Sequence, residues 1–364
     1  MITDLSPRAK RNIARIFPFA LIWLVTGWIF MLVEIAATGS LKAQYDEAIS
    51  LNLMVFVFAS TALLAVGLVV GALEMIWLED LFGKKSFTKK ILYKLGLYTV
   101  LFLLIITITY PVAASMELKT SILDPRVLDR FLAFLLSVPF LSTLLQMSFS
   151  LLLCLFYAGI SENLGHGVLT NFFKGKYHQP KEEQRIFMFL DMKSSTMVAE
   201  QLGHFKYFQL LREYYDDMSK AIINHGGEVY QYIGDEVVIT WETRVGLDNN
   251  NCLNCFFAMK ADLESRQDYY KSEFGLIPSF KAGLHYGKVT TGEIGALKKE
   301  IAFSGDVLNV TARIQELCNH YDAELIISES LVSLLKSKET ITLKSLGTIN
   351  LKGRVEPLNL YAVG

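Results

Sequence analysis

The hydrophobic pattern divides the chain in two. From Ile16 to Ile160, polar residues are confined to short intervals between long apolar runs. From Arg185 onward, short apolar runs alternate with amphipathic stretches. A helix needs about 20 mostly apolar residues to cross a bilayer core. Ile16–Ala37, Leu51–Leu78, Ile91–Ala114 and Phe131–Ile160 meet that length and predict four spans. The first lacks the short apolar core and small-residue cleavage site of a secretory leader, so it reads as retained. Pro111 is expected to kink the third.

The second half predicts an α/β domain. Arg185–Leu190 reads as a strand, followed by a helix with Phe208, Leu211, Tyr215, Met218 and Ile222 at helical spacing. A hairpin turn is expected at Ile233-Gly234-Asp235-Glu236, then a helix over Leu247–Phe274. Phe280–His285 reads as a strand that turns through Tyr286 and Gly287 into a second strand at Val289–Gly292. Ile301–Ser304 is a strand, Val307–Tyr321 a helix, Glu324–Ile327 a strand and Glu329–Leu335 a short helix. Strands at Ile341–Ser345, Thr348–Leu351 and Leu358–Val363 close the chain. The irregular alternation argues for mixed or antiparallel pairing, not a Rossmann sheet.

The domain reading is an all-α four-span region at 1–160, a cytoplasmic linker at 161–182 and an α/β domain at 183–364. The linker carries Gly165, Gly167, Gly175 and Pro180 with Lys174, Lys176 and Lys181. It predicts a membrane-surface helix and a turn at Pro180, and it shows no heptad repeat for a long coiled coil.

Composition agrees with this division. A length of 364 residues suits about two domains. The 52% hydrophobic content exceeds that of an ordinary soluble protein, and the excess lies in the first half. A net charge of −1 supplies no field for nucleic acid, and none is expected as a partner. The four cysteines form no disulfide framework, and Cys252-x-x-Cys255 lacks the second pair that a zinc site needs. Basic residues crowd the N-terminus (Arg8, Lys10, Arg11, Arg15) and the second loop (Lys84, Lys85, Lys89, Lys90, Lys94). The first loop has only Lys42 against Asp46 and Glu47, and the third mixes both signs. That alternation places both termini and the catalytic half in the cytoplasm, on the inner face of a cell membrane. Glu34 and Glu74 lie inside spans, where an ionisable group is costly and by default points to function. Glu74 equally suits the cytoplasmic interface.

The chemistry concentrates in Arg185–Trp241. Asp191 ends the apolar strand and Asp235 sits in the hairpin turn. Two carboxylates at neighbouring strand ends suit a hard divalent cation such as Mg²⁺ or Mn²⁺. Ser194, Ser195 and Thr196 open the following helix, where free N–H groups and small hydroxyls cradle a phosphate. Read alone, these residues equally describe a strand-ending Asp and a capped helix. Asn309 and Arg313 are four apart on one helix face, suited to a polar substrate and to phosphoryl charge, or to a solvated face. Lys352, beside Gly353, is a second phosphate contact or a turn lysine.

Taken in order, Phe189-x-Asp191-x-x-Ser194-Ser195-Thr196, Ile233-Gly234-Asp235, His285-x-Gly287, Gly305-Asp306-Val307-Leu308-Asn309-Val310-Thr311-Ala312-Arg313 and Leu351-Lys352-Gly353 resemble the class III nucleotidyl cyclase catalytic domain. The resemblance covers about half the chain. It implies a ferredoxin-like α/β fold, acting as a head-to-tail homodimer with shared active sites. It makes Asp191 and Asp235, with the backbone carbonyl of Met192, ligands of two Mg²⁺ or Mn²⁺ ions. Asn309 would orient the ribose, Arg313 meet transition-state charge and Lys352 hold the terminal phosphates, all from the partner subunit. The family's base-reading positions fall on Gln231 and Ala302, which match neither the adenylate nor the guanylate pattern. Gln231 can read either purine, and Ala302 leaves the work to Ser304 or to backbone groups. The expected function is a membrane-bound adenylate cyclase converting ATP to cyclic AMP and pyrophosphate for intracellular signalling. The alternatives are a guanylate cyclase acting on GTP and a non-catalytic membrane receptor with a cyclase-like dimerisation module.

Overall fold

The computed structural model describes residues 5–38, 48–78, 81, 87–164, 175–297, 299–336, 341–351 and 356–364. The chain divides into two compact units, Lys10–Leu164 and Gly165–Gly364, the second taking in Met1–Ala9. Each is described by itself.

The first unit is helical. It holds α1 (Pro7–Thr38), α2 (Leu53–Ala72) with a π-helical extension (Leu73–Leu78), α3 (Phe87–Leu118), α4 (Pro125–Phe134) and α5 (Val138–Leu164). Among the described residues four segments are long and apolar enough to cross a membrane: Pro7–Ala37, Leu53–Leu78, Gly96–Leu118 and Val138–Ser161. The fourth starts later than the sequence pattern suggests. Residues 131–134 belong instead to α4, capped by Asp124, whose side chain accepts from the Arg126 amide at 2.9 Å. The chain breaks after Phe134, and Pro139 takes a place at the start of α5 that its missing N–H allows. The third helix runs on through Pro111. Glu74 is buried within the helical unit. The π-helical turn aims it inward, where it is 5% exposed. There it pairs with Lys94 and accepts from the Tyr98 hydroxyl at 2.8 Å. Glu34 lies on an exposed face of α1.

The second unit is built on a mixed sheet. Its strands are β1 (Lys181–Met192), β2 (Glu228–Ile233), β3 (Glu236–Glu242), β4 (Phe280–Ile294), β5 (Glu300–Ser304), β6 (Leu325–Ser328), β7 (Leu343–Ile349) and β8 (Leu358–Val363). Their order is β2-β3-β1-β4-β6-β8-β7, with β5 on the far end of β4. The β4–β6 pair is parallel and the other pairs are antiparallel. The apolar run in β1 reads as continuous because both of its faces are covered. Ile186, Met188, Leu190 and Met192 face a core with α6 (Ser195–Asn224), α8 (Asn251–Ser265) and α9 (Gln267–Phe274), beyond the short α7 (Thr243–Leu247). Phe187 and Phe189 face the other way, into a cluster with Val289 and with Val307 of α10 (Asp306–Glu316). The short α11 (Glu329–Val332) follows β6. Cys252 and Cys255 are buried in the first of these cores, and burial pushes the Cys252 thiol up to about 12.

Four sequence expectations in this unit need correction. The expected hairpin around Gly287 is absent, and β4 runs unbroken through it. A Cβ on Gly287 would lie 3.0 Å from Val307, so the residue marks a helix approach, not a turn. The expected helix Leu247–Phe274 is interrupted at Arg266, and the expected helix to Tyr321 stops at Glu316. The two strands expected at Ile341–Ser345 and Thr348–Leu351 are one, kinked by a register shift between Ser345 and Gly347.

Candidate active site

Sheet register brings the two carboxylates together. Asp191, near the end of β1, stands opposite Glu236, the first residue of β3. Residues Gly234 and Asp235 form the two-residue turn between β2 and β3, with Gly234 at φ +65°, a conformation that suits such turns and favours glycine. The turn therefore delivers Asp235 to Asp191. Tyr215 of α6 braces the tip, donating its hydroxyl to the Gly234 carbonyl at 2.9 Å while its ring lies 4.5 Å from that of Tyr232.

The pair sets two carboxylates side by side, with Lys281 Nζ 3.4 Å from Asp191 Oδ2. Burial, and then the adjoining Asp235, hold the Asp191 carboxyl above its ordinary range, partly offset by Lys281. Glu236 is raised as well, first by burial and then by Asp191 and Asp235. Asp235 Oδ2 is buried and has no hydrogen-bond partner. A divalent cation fits these observations, since it relieves the repulsion and gives the orphaned oxygen a partner. Among the described residues no group of three or more His, Cys, Asp or Glu side chains converges. The carboxylate pair is then the protein's share, as is usual for Mg²⁺ bound together with phosphates and water.

The following turn starts α6. Ser194 is its N-cap, in the left-handed region at φ +57°, and its side chain makes no capping bond. Ser194 and Thr196 are exposed and Ser195 is half-buried, while the Met192 side chain is 2% exposed in the core.

α10 presents two faces. Asn309 and Arg313 lie on the exposed one, and the Arg313 guanidinium donates to both carboxylate oxygens of Glu316 at 2.8 Å. Thr311 and Gln315 lie on the buried one, and Gln315 Nε2 donates to Asp191 Oδ2 at 3.3 Å. Asn309 and Arg313 thus face outward from the helix that touches their own chain's Asp191. Gln231 is exposed on β2, and Ala302 is half-buried on β5 opposite Gly292. Their neighbours join the two strands: the Phe303 amide donates to the Tyr230 hydroxyl at 3.4 Å, and the rings lie 4.9 Å apart. Ser304 ends β5, exposed. Lys352 lies outside the described residues.

The sequence reading missed Tyr215 as a brace, and Gln315 and Lys281 as partners of Asp191. The β1–β4 register pairs Asp191 with Lys281 directly, so the signal for Lys281 was a lysine breaking the apolar alternation of Phe280–Leu284. His285 is buried, bonded to Ser328 at 2.7 Å, and ties β4 to β6 away from the carboxylates.

Comparison with known proteins follows the same residues. Residues 177–363 match the profile of the Adenylate and Guanylate cyclase catalytic domain. Adenylate cyclase 2 of Rhizobium meliloti (strain 1021) is 30% identical over 209 residues, covering 57% of this chain and 58% of that protein. The adenylate cyclase of Anabaena cylindrica is 28% identical over 183 residues, covering 48% of this chain and 36% of that protein. The chain thus spans little more than half the length of the one and about a third of the other. A bacterial light-regulated adenylyl cyclase shares the fold at a TM-score of 0.52 and 21% identity, covering 60% of this chain and 64% of that one. On the match across half its length, the chain belongs to the adenylate and guanylate cyclase catalytic domain family, the class III nucleotidyl cyclases.

Proposed function

We propose that this chain is a membrane-anchored adenylate cyclase that converts ATP to 3′,5′-cyclic AMP and pyrophosphate, with its catalytic half in the cytoplasm. The observation that carries the reading is the Asp191–Asp235 pair, with a buried oxygen left unpartnered, in a cyclase-family domain. The four long apolar helices support the anchor.

In the reaction the ribose 3′-oxygen forms a bond to the α-phosphorus while the bond to the bridging oxygen of pyrophosphate breaks. Asp191 and Asp235, with the Met192 carbonyl, would hold two divalent cations. A bound cation supplies Lewis-acid polarisation of the phosphate and lowers the pKa of the attacking hydroxyl. Ser194, Ser195 and Thr196 at the start of α6 would receive phosphate oxygens on backbone N–H groups. Asn309 would orient the ribose and Arg313 would meet charge that grows in the transition state, where a fixed donor contributes most. Lys352 would take the terminal phosphates.

The reading requires a homodimer. Asn309 and Arg313 face outward while the buried face of their helix meets Asp191. A second copy related by twofold symmetry would bring those groups to the carboxylates and make two equivalent sites. Exposed apolar residues on α6 and β2 support such a contact: Met197, Phe205, Phe208, Tyr232 and Ile233 are each more than half exposed.

ATP is favoured as substrate because the relatives described above are adenylate cyclases. Product analysis by mass spectrometry tests the reading, with the detergent-solubilised chain incubated with Mn²⁺ and either ATP or GTP. Cyclic AMP is the expected dominant product. Cyclic GMP would make it a guanylate cyclase, and neither product from folded dimer would favour the receptor alternative.

A further inference from the structure

Gln315 and Lys281 are buried polar groups. They are 5% and 8% exposed. An amide or ammonium buried in this way is costly unless it is bonded. Both converge on a single atom. Gln315 Nε2 lies 3.3 Å and Lys281 Nζ 3.4 Å from Asp191 Oδ2. Lys281 is itself held by Asn319 Oδ1 at 3.1 Å, in the turn just after α10. Packing alone would be served by Leu or Met at these positions.

We propose that Gln315 and Lys281 are positioning residues that fix the Asp191 carboxylate by its Oδ2, leaving Oδ1 to a cation. The inference rests on the metal role proposed above for Asp191. Its content is that α10 grips the carboxylate twice, directly through Gln315 and indirectly through Asn319 and Lys281. The helix that displays Arg313 outward therefore sets the aim of Asp191 inward, two residues further on. In the homodimer those two residues serve different active sites, so the helix connects one site to the other. Groups that orient a metal ligand from behind typically contribute about 10–100-fold to metal affinity or activity.

The test is Mn²⁺ binding, read by electron paramagnetic resonance on the full chain in detergent with a non-cyclisable ATP analogue. The variants are Gln315→Met, Lys281→Met, Lys281→Arg and Asp191→Ala. Gln315→Met and Lys281→Met should each weaken Mn²⁺ binding about tenfold or more. The analogue's own affinity, measured without metal, and the melting temperature should change little. Lys281→Arg, which keeps the charge, should recover most of the binding. Wild-type Mn²⁺ affinity in both Met variants would overturn the inference while leaving the metal reading intact. Weakened binding that tracks a matching fall in melting temperature would also overturn it, because the role would then be structural. If the wild-type chain binds no Mn²⁺, or if Asp191→Ala binds it equally well, the metal reading fails and takes this inference with it.

Discussion

Gly283 offers a direct test of how closely the fold must hold the site. It lies on β4 where α10 crosses, and a Cβ there would sit 2.5 Å from the Gln315 amide nitrogen, 2.9 Å from Gln315 Cα and 2.9 Å from the Thr311 carbonyl oxygen. All three are backbone atoms, so no side chain can swing away. Ordinary contact begins at 3.4 Å, and Gly283→Ala must therefore push α10 off the sheet by about 0.9 Å at Gln315. Overpacking of this kind costs about 1–3 kcal/mol. A backbone obstacle puts this case near the top of that range, and the lower entropy of an unfolded chain without that glycine returns about 0.4–1 kcal/mol. The net loss is about 2 kcal/mol, which for a unit of this size lowers Tm by roughly 4–8 °C. The Gln315–Asp191 bond, already 3.3 Å long, cannot survive the same displacement. Mn²⁺ binding should weaken along with the melt. The assay is a thermal series read by hydrogen exchange on peptides from β4 and α10, with Gly292→Ala as control. A Cβ on Gly292 meets Pro180 at 3.4 Å, which is ordinary contact, and that variant should melt at or slightly above the wild type. A Gly283→Ala chain that melts within 1 °C of the control, on the scale of about 2–4 °C per kcal/mol, would refute the close-approach argument.

Other outcomes follow from the same structure. In metal-free buffer the raised pKa of Asp191, due to burial and then to Asp235, means that the folded state binds the proton more tightly than the unfolded chain. Stability is then lost as pH rises from the ordinary 3.8 through the folded value, and Asp191→Asn should gain on the wild type at pH 7 but not at pH 3, as denaturant midpoints will show. Mixing inactive Asp191→Ala and Arg313→Ala chains should restore cyclase activity, since one of the two sites keeps every group, and demonstrated heterodimers without recovery would count against shared sites. In the helical unit Glu74→Ala leaves Lys94 buried without its partner and should cost about 3–5 kcal/mol. Adding Lys94→Met should recover most of that loss in a detergent melt.

Much of the architecture was legible because the chain states it locally. The apolar runs give the four long helices, and the run into Asp191 gives β1. Gly234-Asp235 marks a tight turn because a two-residue hairpin favours positive φ, which glycine adopts without strain. Other features depended on contacts that no local pattern records. The glycine in His285-x-Gly287 looked like a turn, but its lack of a side chain serves Val307 across the sheet, and β4 stays straight. Phe208 fits the helical spacing of Met218 and Ile222, yet it is 71% exposed while Leu210 and Tyr214 are buried. Gly203, at φ +72° inside α6, interrupts the helix, and Phe208 lies in its first turns after that break. Asn309 and Arg313 were visible as a pair because four residues make one helical face. Gln315, two positions further, carries no such mark. Its place beside Asp191, 124 positions away in sequence, is set by the β1–β4 register and by the space a missing Cβ leaves on Gly283. Residues read from spacing are those a helix or turn displays by itself, whereas residues that aim a carboxylate emerge only once the sheet register brings distant segments together.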